Sequence, residues 1–302
     1  MDPVTKALLT SWEWRIELIV LLLFLGILYG AGWRTLRRKG SKLAVGWRLA
    51  AYWAGLVLVG IALMSPIDTL SSQFFFMHMI QHLLLIMIAP PLLMVANPFP
   101  VVLWGLPDRA RRSTGRGLSR LLHRNSRFRH ALYKLTGPGL IWMITIGLLI
   151  VWHDPNLYNA ALRYEWLHDL EHLSFFLPAV AYWWLVTAAG PRLHKRFSDA
   201  LRIGYVILAI PPVMLLGIVL SFASQPIYTY YLAVPRIGGL SVMEDQMLGG
   251  VIMWVPGSMM YIISALLATA VWLRGEERKP PLPVSTWATK EKMAAPGLSE
   301  SN

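Results

Sequence analysis

Long and nearly uninterrupted apolar runs are the feature of this 302-residue sequence that most limits its fold. A run of about 20 apolar residues is long enough to cross a lipid bilayer as an α-helix, whose backbone hydrogen bonds are all internal. Only 15% of the residues are charged, against about a quarter in a soluble globular protein. The alternating ten-residue segments of a transmembrane β-barrel are absent from the sequence. The sequence therefore predicts an all-α, polytopic membrane protein folded as a helical bundle.

About seven transmembrane helices are predicted from these runs. Their approximate positions are 14–33, 47–64, 73–95, 138–153, 166–188, 202–222 and 247–273. They predict one transmembrane domain over residues 1–275, followed by a disordered cytoplasmic tail over residues 276–302. The apolar stretch Phe99–Leu106 is too short to span a bilayer, so we expect it to be interfacial or re-entrant. The first run, Ile16–Tyr29, lacks a basic leader and a cleavage site and is interpreted as a retained helix.

The distribution of basic residues predicts the orientation of these helices. Of the 28 Lys and Arg residues, 24 fall on one predicted side of the membrane. They lie in the loops 34–48, 109–134 and 192–202, and in the segment after Trp272. Positively charged loops remain in the cytoplasm. We therefore expect the N-terminus outside and the C-terminus in the cytoplasm, with an acidic outer face.

The basic loop 109–134 and the net charge of +12 raise the question of a nucleic-acid partner. Basic residues next to transmembrane helices on the cytoplasmic side are typical of binding to the anionic lipids of the inner leaflet. We therefore predict anionic lipid as the partner at the cytoplasmic face, and no nucleic acid.

Histidines carry the main indication of function. Five of the eight fall within a few residues of the predicted outer face, and four of these form two pairs with a spacing of four. The pairs are His78 with His82 and His168 with His172, and the fifth residue is His153. Residues four apart on a helix point the same way and differ by about 6 Å in rise. Because ionisable side chains are seldom placed inside a bilayer without a function, these histidines predict a shared metal site.

The residue types at this face favour copper as the metal. The chain has no cysteine, so no thiolate ligand is available, and imidazole with thioether ligands suits copper better than zinc. Possible auxiliary residues are Asp154, Asp169, Glu171, Met79, Met243 and Met247. The carboxylates could orient ring N–H groups or attract cations, whereas the methionines are more often packing residues than ligands. The predicted site is a shallow funnel that opens outward.

Four stretches of the sequence resemble the CtaG family, the bacterial assembly factors of caa3-type cytochrome c oxidase. They are Met77-His-Met-Ile-Gln-His-Leu-Leu-Leu85, Ala89-Pro-Pro-Leu-Leu93, Trp152-His-Asp-Pro155 and Trp166-Leu-His-Asp-Leu-Glu-His172. The resemblance covers most of residues 10–275 and includes the seven predicted spans. It implies a multi-pass protein of the bacterial cell (inner) membrane that helps to mature a haem–copper oxidase, as an accessory factor and not an enzyme.

The resemblance also implies a metal, a set of site residues and partners. The metal is copper, held for delivery to the oxidase or retained beside its CuB centre. The residues that carry over from the family pattern are His78, His82, His153, His168 and His172. The implied partners are the membrane, subunit I of the haem–copper oxidase and an extracytoplasmic (periplasmic) copper donor.

Three other functions remain open at the level of the sequence. A haem-b membrane cytochrome also uses histidine pairs, although a spacing of four leaves room for one haem at most. A metal or proton transporter would need polar residues that continue inward, whereas the inner halves of the third and fifth spans are almost purely apolar. A metal-independent scaffold for oxidase subunits is the third.

Enzyme motifs are missing: there is no GxSxG or Walker sequence, and His168-Asp-Leu-Glu-His172 is not the HExxH of zinc proteases.

Overall fold

The computed structural model describes residues 10–191, 193–194, 197–236 and 238–278. These residues form helices joined by loops, and no strand occurs among them. The prediction of an all-α fold is therefore confirmed. The predicted cytoplasmic tail begins within the last helix, which ends at Glu277, and residues 279–302 lie outside the described residues.

Helices account for most of the described chain. In order they are α1 (Ile16–Arg38), α2 (Gly46–Met64), α3 (Pro66–Ser71), α4 (Phe75–Leu83), α5 (Ala89–Val95), α6 (Pro98–Gly105), α7 (Asp108–Leu121), α8 (Arg127–Leu135), α9 (Pro138–Trp152), α10 (Pro155–Arg163), α11 (Glu165–Thr187), α12 (Asp199–Ile207), α13 (Ile210–Ser221), α14 (Tyr230–Ala233) and α15 (Val242–Glu277). A π-helical segment, Leu84–Ile88, joins α4 to α5 without a break.

Five helices of the described chain are long and apolar enough to cross a membrane. They are α1, α2, the continuous unit α4–α5, the unit α12–α13 and α15. Helices α8 and α9 make a sixth if they are one span, bent by 50°. Helix α11, the predicted fifth span, is 23 residues long but is not among them, and its N-terminal part carries Glu165, Asp169 and Glu171. The structure thus gives a multi-pass helical protein with five or six such helices.

Prolines shape the helix that carries His78 and His82. Pro90 has no backbone N–H, so the carbonyl of Ile86, four residues earlier, loses its ordinary helical partner. The indole Nε1 of Trp183 in α11 donates a hydrogen bond to that carbonyl at 3.0 Å. The π-helical segment before the proline is a typical adjustment at such a point. This hydrogen bond ties the first histidine-bearing helix to the second.

Helices α1 and α6 approach each other at two glycines. A Cβ atom at Gly32 would collide with the carbonyl oxygen of Val101, and one at Gly105 would collide with the carbonyl oxygen of Leu28. Only a residue without a Cβ permits backbones to come this close. The short apolar stretch Phe99–Leu106, which was predicted to be interfacial or re-entrant, therefore lies mostly within helix α6 and packs against α1.

The two ends of the bundle differ in composition. One end, which we name the histidine end, contains the N-termini of α1, α4, α11 and α15, joined by the ion pair Arg15–Asp169 and by contacts of Asp245 with α4. The other, which we name the basic end, contains the arginine-rich helices α7 and α8, in which no residue is buried. Between the helices, the largest hydrophobic cluster packs α1, α2, α11 and α15 together and includes Tyr29, Trp183 and Tyr261.

Candidate metal centre

Helices α4 and α11 face each other and bring the two histidine pairs together. Within α4 the ring centroids of His78 and His82 are 4.3 Å apart. Within α11 those of His168 and His172 are 4.1 Å apart. Across the two helices, His78 lies 5.0 Å from His168, and His82 lies 5.5 Å from His172. The spacing of four therefore places all four rings in one group, which we call the histidine cluster.

Several ring nitrogens of the histidine cluster are buried without a hydrogen-bond partner in the part of the chain that the structure describes. They are Nε2 of His78, His168 and His172 and both nitrogens of His82. The potential ligand atoms of His78, His82 and His172 all lie within 4.8 Å of one another. Nitrogen ligands that share one tetrahedral ion at about 2 Å are about 3.5 Å apart, so small side-chain rotations would bring these atoms to bonding distance. A buried unpartnered polar atom is costly, and binding one cation would satisfy several at once.

Three of the four rings in the histidine cluster are buried, in contrast to the predicted shallow funnel. The exposed fraction is 0% for His78, 5% for His82 and 4% for His172. His168 is half-buried and forms a second group of potential ligands with His172 and Asp68. Helices α3, α4 and α11 pack around these rings and bury them. The positions of the histidines within the predicted spans did not reveal this burial.

His153 borders the histidine cluster from the C-terminus of α9. Its ring centroid is 6.4 Å from that of His82, and its Nδ1 lies 2.7 Å from the carbonyl oxygen of Leu149. A carbonyl only accepts, so Nδ1 carries the proton, and the buried Nε2 has no partner among the described residues. His82 and His153 also line a small cavity of about 50 Å³. His153 is therefore adjacent to the four rings and has a free ligand atom.

Glu171 places a carboxylate against the histidine cluster. Its side chain is fully buried, and its two oxygens lie 3.7 Å from Nε2 of His78 and 3.6 Å from Nε2 of His82. Neither oxygen has a hydrogen-bond partner among the described residues. The carboxylate also groups with His78 and His168 as a potential ligand set. A buried carboxylate needs a compensating charge or a proton, and a bound cation would supply that charge.

A network of charged side chains covers the histidine cluster at the N-terminus of α1. Arg15 contacts Asp169 at 2.6 Å and Asp68 at 3.6 Å. Gln81 of α4 donates hydrogen bonds to Asp68 and to the carbonyl oxygen of Ala62. Burial raises the pKa of the Asp68 carboxyl to about 6, although the Gln81 hydrogen bond and the Arg15 charge oppose the shift. Asp169 therefore forms an ion pair with Arg15, and about half of the Asp169 side chain is exposed.

The remaining auxiliary residues from the sequence occupy other positions. Asp154 caps α10, since its carboxylate accepts from the backbone N–H groups of Asn156 and Leu157. Met79 is buried in the hydrophobic cluster of Phe75 and the neighbouring tyrosines, as its residue type usually is. Met243 is half-buried and Met247 is 47% exposed.

Several polar residues around the histidine cluster were missed by sequence reasoning. They are Asp68, Gln81, Tyr158, Tyr228, Tyr231 and Asp245. Gln81 and Asp68 carried a usable signal, because a polar residue between two membrane histidines or just before their span is rarely placed there without a partner. The tyrosines carried none, because tyrosine is common at membrane interfaces for reasons unrelated to any site.

A wide apolar groove runs along the flank of the bundle beside α1, α2 and α11, with a volume of about 1230 Å³. Asp169 and His172 are among its lining residues, as are Phe128 and Leu132 of α8 at the basic end. His172 is therefore the member of the histidine cluster that a molecule in this groove would meet.

Comparison with known proteins finds relatives in mycobacteria. An uncharacterized protein of Mycobacterium leprae is 27% identical over 88% of this chain and 40% of its own length. Uncharacterized proteins of Mycobacterium bovis and Mycobacterium tuberculosis are each 27% identical over 91% of this chain and 41% of their own length. The chain thus spans about two-fifths of the length of these relatives. No solved structure matches.

The family comparison covers most of the chain. Residues 27–275 match the model of the family described as cytochrome c oxidase caa3 assembly factor. The matched segment includes both histidine pairs, His153 and Glu171, whereas Arg15, which covers the histidine cluster, lies before it. This chain belongs to the caa3 cytochrome c oxidase assembly factor family.

Proposed function

We propose that this protein assists the assembly of a bacterial haem–copper cytochrome c oxidase by holding a copper ion for delivery to a copper centre of the oxidase. The proposed ligands are His78, His82, His168 and His172, with His153 as a fifth, adjacent donor. Membership of the assembly-factor family supports the target of the delivery. The proposed recipient is subunit I of the oxidase, and the proposed source is an extracytoplasmic copper donor.

The observation that carries this proposal is the set of buried, unpartnered imidazole nitrogens on two facing helices. Neutral imidazole is a good ligand for copper, and the chain offers no thiolate that would favour zinc or an iron–sulfur cluster. The carboxylate of Glu171 would balance the charge of a monovalent ion, so a site that holds Cu(I), neutral imidazoles and the ionised Glu171 would carry no net charge. Asp154, Asp169, Met79, Met243 and Met247 are not needed for this ligand set.

The proposed orientation places the histidine end outside the cytoplasm and the basic end inside it. Seven spans result if the five long apolar helices are joined by the bent pair α8–α9 and by α11. The basic end then meets the anionic inner leaflet of the bacterial cell membrane, as the positive charge of the cytoplasmic loops requires.

Copper binding by the purified protein tests the proposal directly. We expect near-stoichiometric copper in the detergent-purified protein after Cu(I) loading, and none in a variant with His78, His82, His168 and His172 all changed to Ala. The matched control is the double variant His123→Ala with His130→Ala, which removes two exposed histidines at the basic end. Copper retained by the fourfold variant, or lost equally from the control, would contradict the proposed site.

Oxidase activity in cells tests the delivery step. We expect the double variant His78→Ala with His82→Ala to lower oxidase activity without lowering the amount of this protein in the membrane. Normal activity in that variant would contradict copper delivery through the cluster. A Soret band in the purified protein would instead indicate a cytochrome, and the absence of both copper and haem would leave a scaffold for oxidase subunits.

A further inference from the structure

Two buried tyrosines connect the histidine cluster to the backbone of α3. The hydroxyl of Tyr158 in α10 lies 2.7 Å from Nδ1 of His78. The same hydroxyl lies 3.1 Å from the hydroxyl of Tyr231 in α14. The hydroxyl of Tyr231 donates in turn to the carbonyl oxygen of Ser71 at 2.9 Å. Both phenol rings are almost completely buried, at 0% and 1% exposure, so water cannot replace these contacts.

The direction of the hydrogen bonds in the series from His78 to Ser71 follows from the last acceptor. The carbonyl of Ser71 can only accept, so the single proton of Tyr231 is committed to it. The oxygen of Tyr231 therefore accepts the proton of Tyr158, and the oxygen of Tyr158 accepts from Nδ1–H of His78. A phenol ordinarily keeps its proton at neutral pH, so each tyrosine has one proton to donate.

The reverse direction would satisfy fewer groups. If Tyr158 donated to Nδ1 of His78, the single proton of Tyr231 could go either to Tyr158 or to the carbonyl of Ser71, and the other of these two bonds would be lost. Three hydrogen bonds form in one direction and two in the other, and a buried polar atom left unpaired is costly. The geometry therefore assigns neutral His78 the tautomer with the proton on Nδ1 and a lone pair on Nε2.

That tautomer is the one a metal site at this position needs. Nε2 of His78 is buried, has no hydrogen-bond partner among the described residues, and faces Glu171 and the other rings. The nitrogen that binds a metal must carry a lone pair, and the hydrogen bond made by the other ring nitrogen decides which one does. His153 obtains the same tautomer from a backbone carbonyl, Leu149, whereas His78 obtains it from side chains of α10 and α14.

We propose that Tyr158 and Tyr231 are positioning residues for the metal site: they hold His78 in the Nδ1–H tautomer and aim its Nε2 at the ion. The role of the tyrosines rests on the proposed function, because it concerns the same copper site. Loss of such a supporting hydrogen bond typically weakens metal binding by about 10- to 100-fold. Tyr158 contacts the ring directly, so its removal should have the larger effect.

The tautomer can be measured in the metal-free protein, separately from copper binding. We would record the ¹⁵N resonances of histidine in the full-length, detergent-purified protein, with His78 assigned by comparison with a His78→Gln variant. The wild-type protein should show His78 protonated on Nδ1. Tyr158→Phe should shift His78 toward the Nε2–H form, because the ring then has no acceptor for Nδ1–H. A wild-type His78 protonated on Nε2 would overturn the proposal.

Copper affinity supplies the second measurement, by competition with a Cu(I) chelator. We expect about 10- to 100-fold weaker binding in Tyr158→Phe and a smaller loss in Tyr231→Phe. Tyr182→Phe is the matched control, because its ring is also buried, at 1% exposure, while its hydroxyl donates to the backbone carbonyl of Tyr205 and lies away from the histidine cluster. Tyr182→Phe should change neither the tautomer nor the affinity.

The two measurements separate failure of this inference from failure of the proposed function. Unchanged affinity in Tyr158→Phe, with copper bound by the wild-type protein, would overturn the positioning role and leave the copper site intact. No copper in the wild-type protein would overturn the proposed function, and with it the role in copper binding, while the resonances would still decide the tautomer. If Tyr158→Phe does not fold, Tyr231→Phe gives the same test with a smaller expected shift.

Discussion

The histidine end and the basic end both carry arginines and carboxylates, but they use them differently. At the histidine end, Arg15 bridges Asp68 and Asp169, and Arg236 contacts a fully buried carboxylate, Asp245, at 3.0 Å. At the basic end, the arginines of α7 and α8 are mostly exposed and far outnumber the carboxylates. At the histidine end these charged side chains pair with one another within the protein, whereas at the basic end most of the arginines face the surroundings.

This difference indicates what each end requires from its neighbours. Buried polar groups need partners within the protein. At the histidine end, most of the buried polar atoms without a partner among the described residues are the ring nitrogens and the Glu171 oxygens, with Thr69 and Gln81 as further cases. The ring nitrogens and the Glu171 oxygens therefore mark the place where an external ligand would be accommodated. The basic end leaves most of its charges exposed, and the unpartnered buried nitrogens there include those of Arg48 and Arg202.

The largest effect is expected from removing the charge of Asp245. Its two carboxylate oxygens accept hydrogen bonds from the backbone N–H groups of Phe75 and Phe76, at 3.0 and 2.9 Å, and so hold the start of the first histidine helix. Breaking a buried charged pair costs about 3 kcal/mol or more. We therefore expect Asp245→Asn to lower the free energy of unfolding by about 3 kcal/mol, measured by denaturant titration in mixed micelles.

The matched control for that variant is Asp108→Asn at the basic end. Asp108 pairs with Arg111 one turn away, but 70% of its side chain is exposed. Exposed pairs contribute little, so we expect a change within about 0.5 kcal/mol. Equal losses in the two variants would contradict the contrast between the two ends.

A smaller effect is expected from neutralising the carboxylate within the histidine cluster. Glu171→Gln keeps the shape of the side chain and removes the charge that would balance a bound copper ion. We expect Cu(I) binding to weaken by about tenfold or more, which corresponds to about 1.4 kcal/mol. Glu165→Gln on the same helix, where 83% of the side chain is exposed, should bind copper as the wild-type protein does. Unchanged binding by Glu171→Gln would show that this carboxylate does not serve as the counter-charge.

The smallest effect is expected at the basic end. Arg116→Gln removes one exposed charge from α7, and a basic residue near an anionic membrane surface contributes about fivefold to lipid association. We expect at most this loss in the preference of the reconstituted protein for anionic over zwitterionic lipid, with copper binding unchanged. A loss of copper binding in this variant would mean that the two ends are coupled.

Local patterns predicted the parts of the fold and the site that depend on local geometry. The apolar runs predicted the all-α fold and the positions of most helices, because hydrophobicity and length suffice for a helix in lipid. The spacing of four placed His78 with His82 and His168 with His172 on common helix faces. The number of spans was harder to predict from the sequence, because α11 begins with polar residues and only its later part is apolar.

Contacts between distant segments were not predictable from those patterns. Tyr158 meets His78 across 80 residues, Asp245 meets Phe75 across 170, and Arg15 meets Asp169 across 154. No periodicity in the sequence records such separations. The prediction of an open funnel differed from the structure for the same reason, since enclosure depends on which helices pack over the rings.

The sequence by itself determined that the chain forms membrane-type helices and that two of them carry histidines at one end. These are consequences of residue type and of the helical repeat. Only the tertiary structure decided that the two helices face each other, that Glu171 lies against the rings, and that a pair of tyrosines fixes the proton of His78. The physical reason is that hydrogen-bond direction and burial are properties of a set of contacts, and those contacts exist only when the helices are packed.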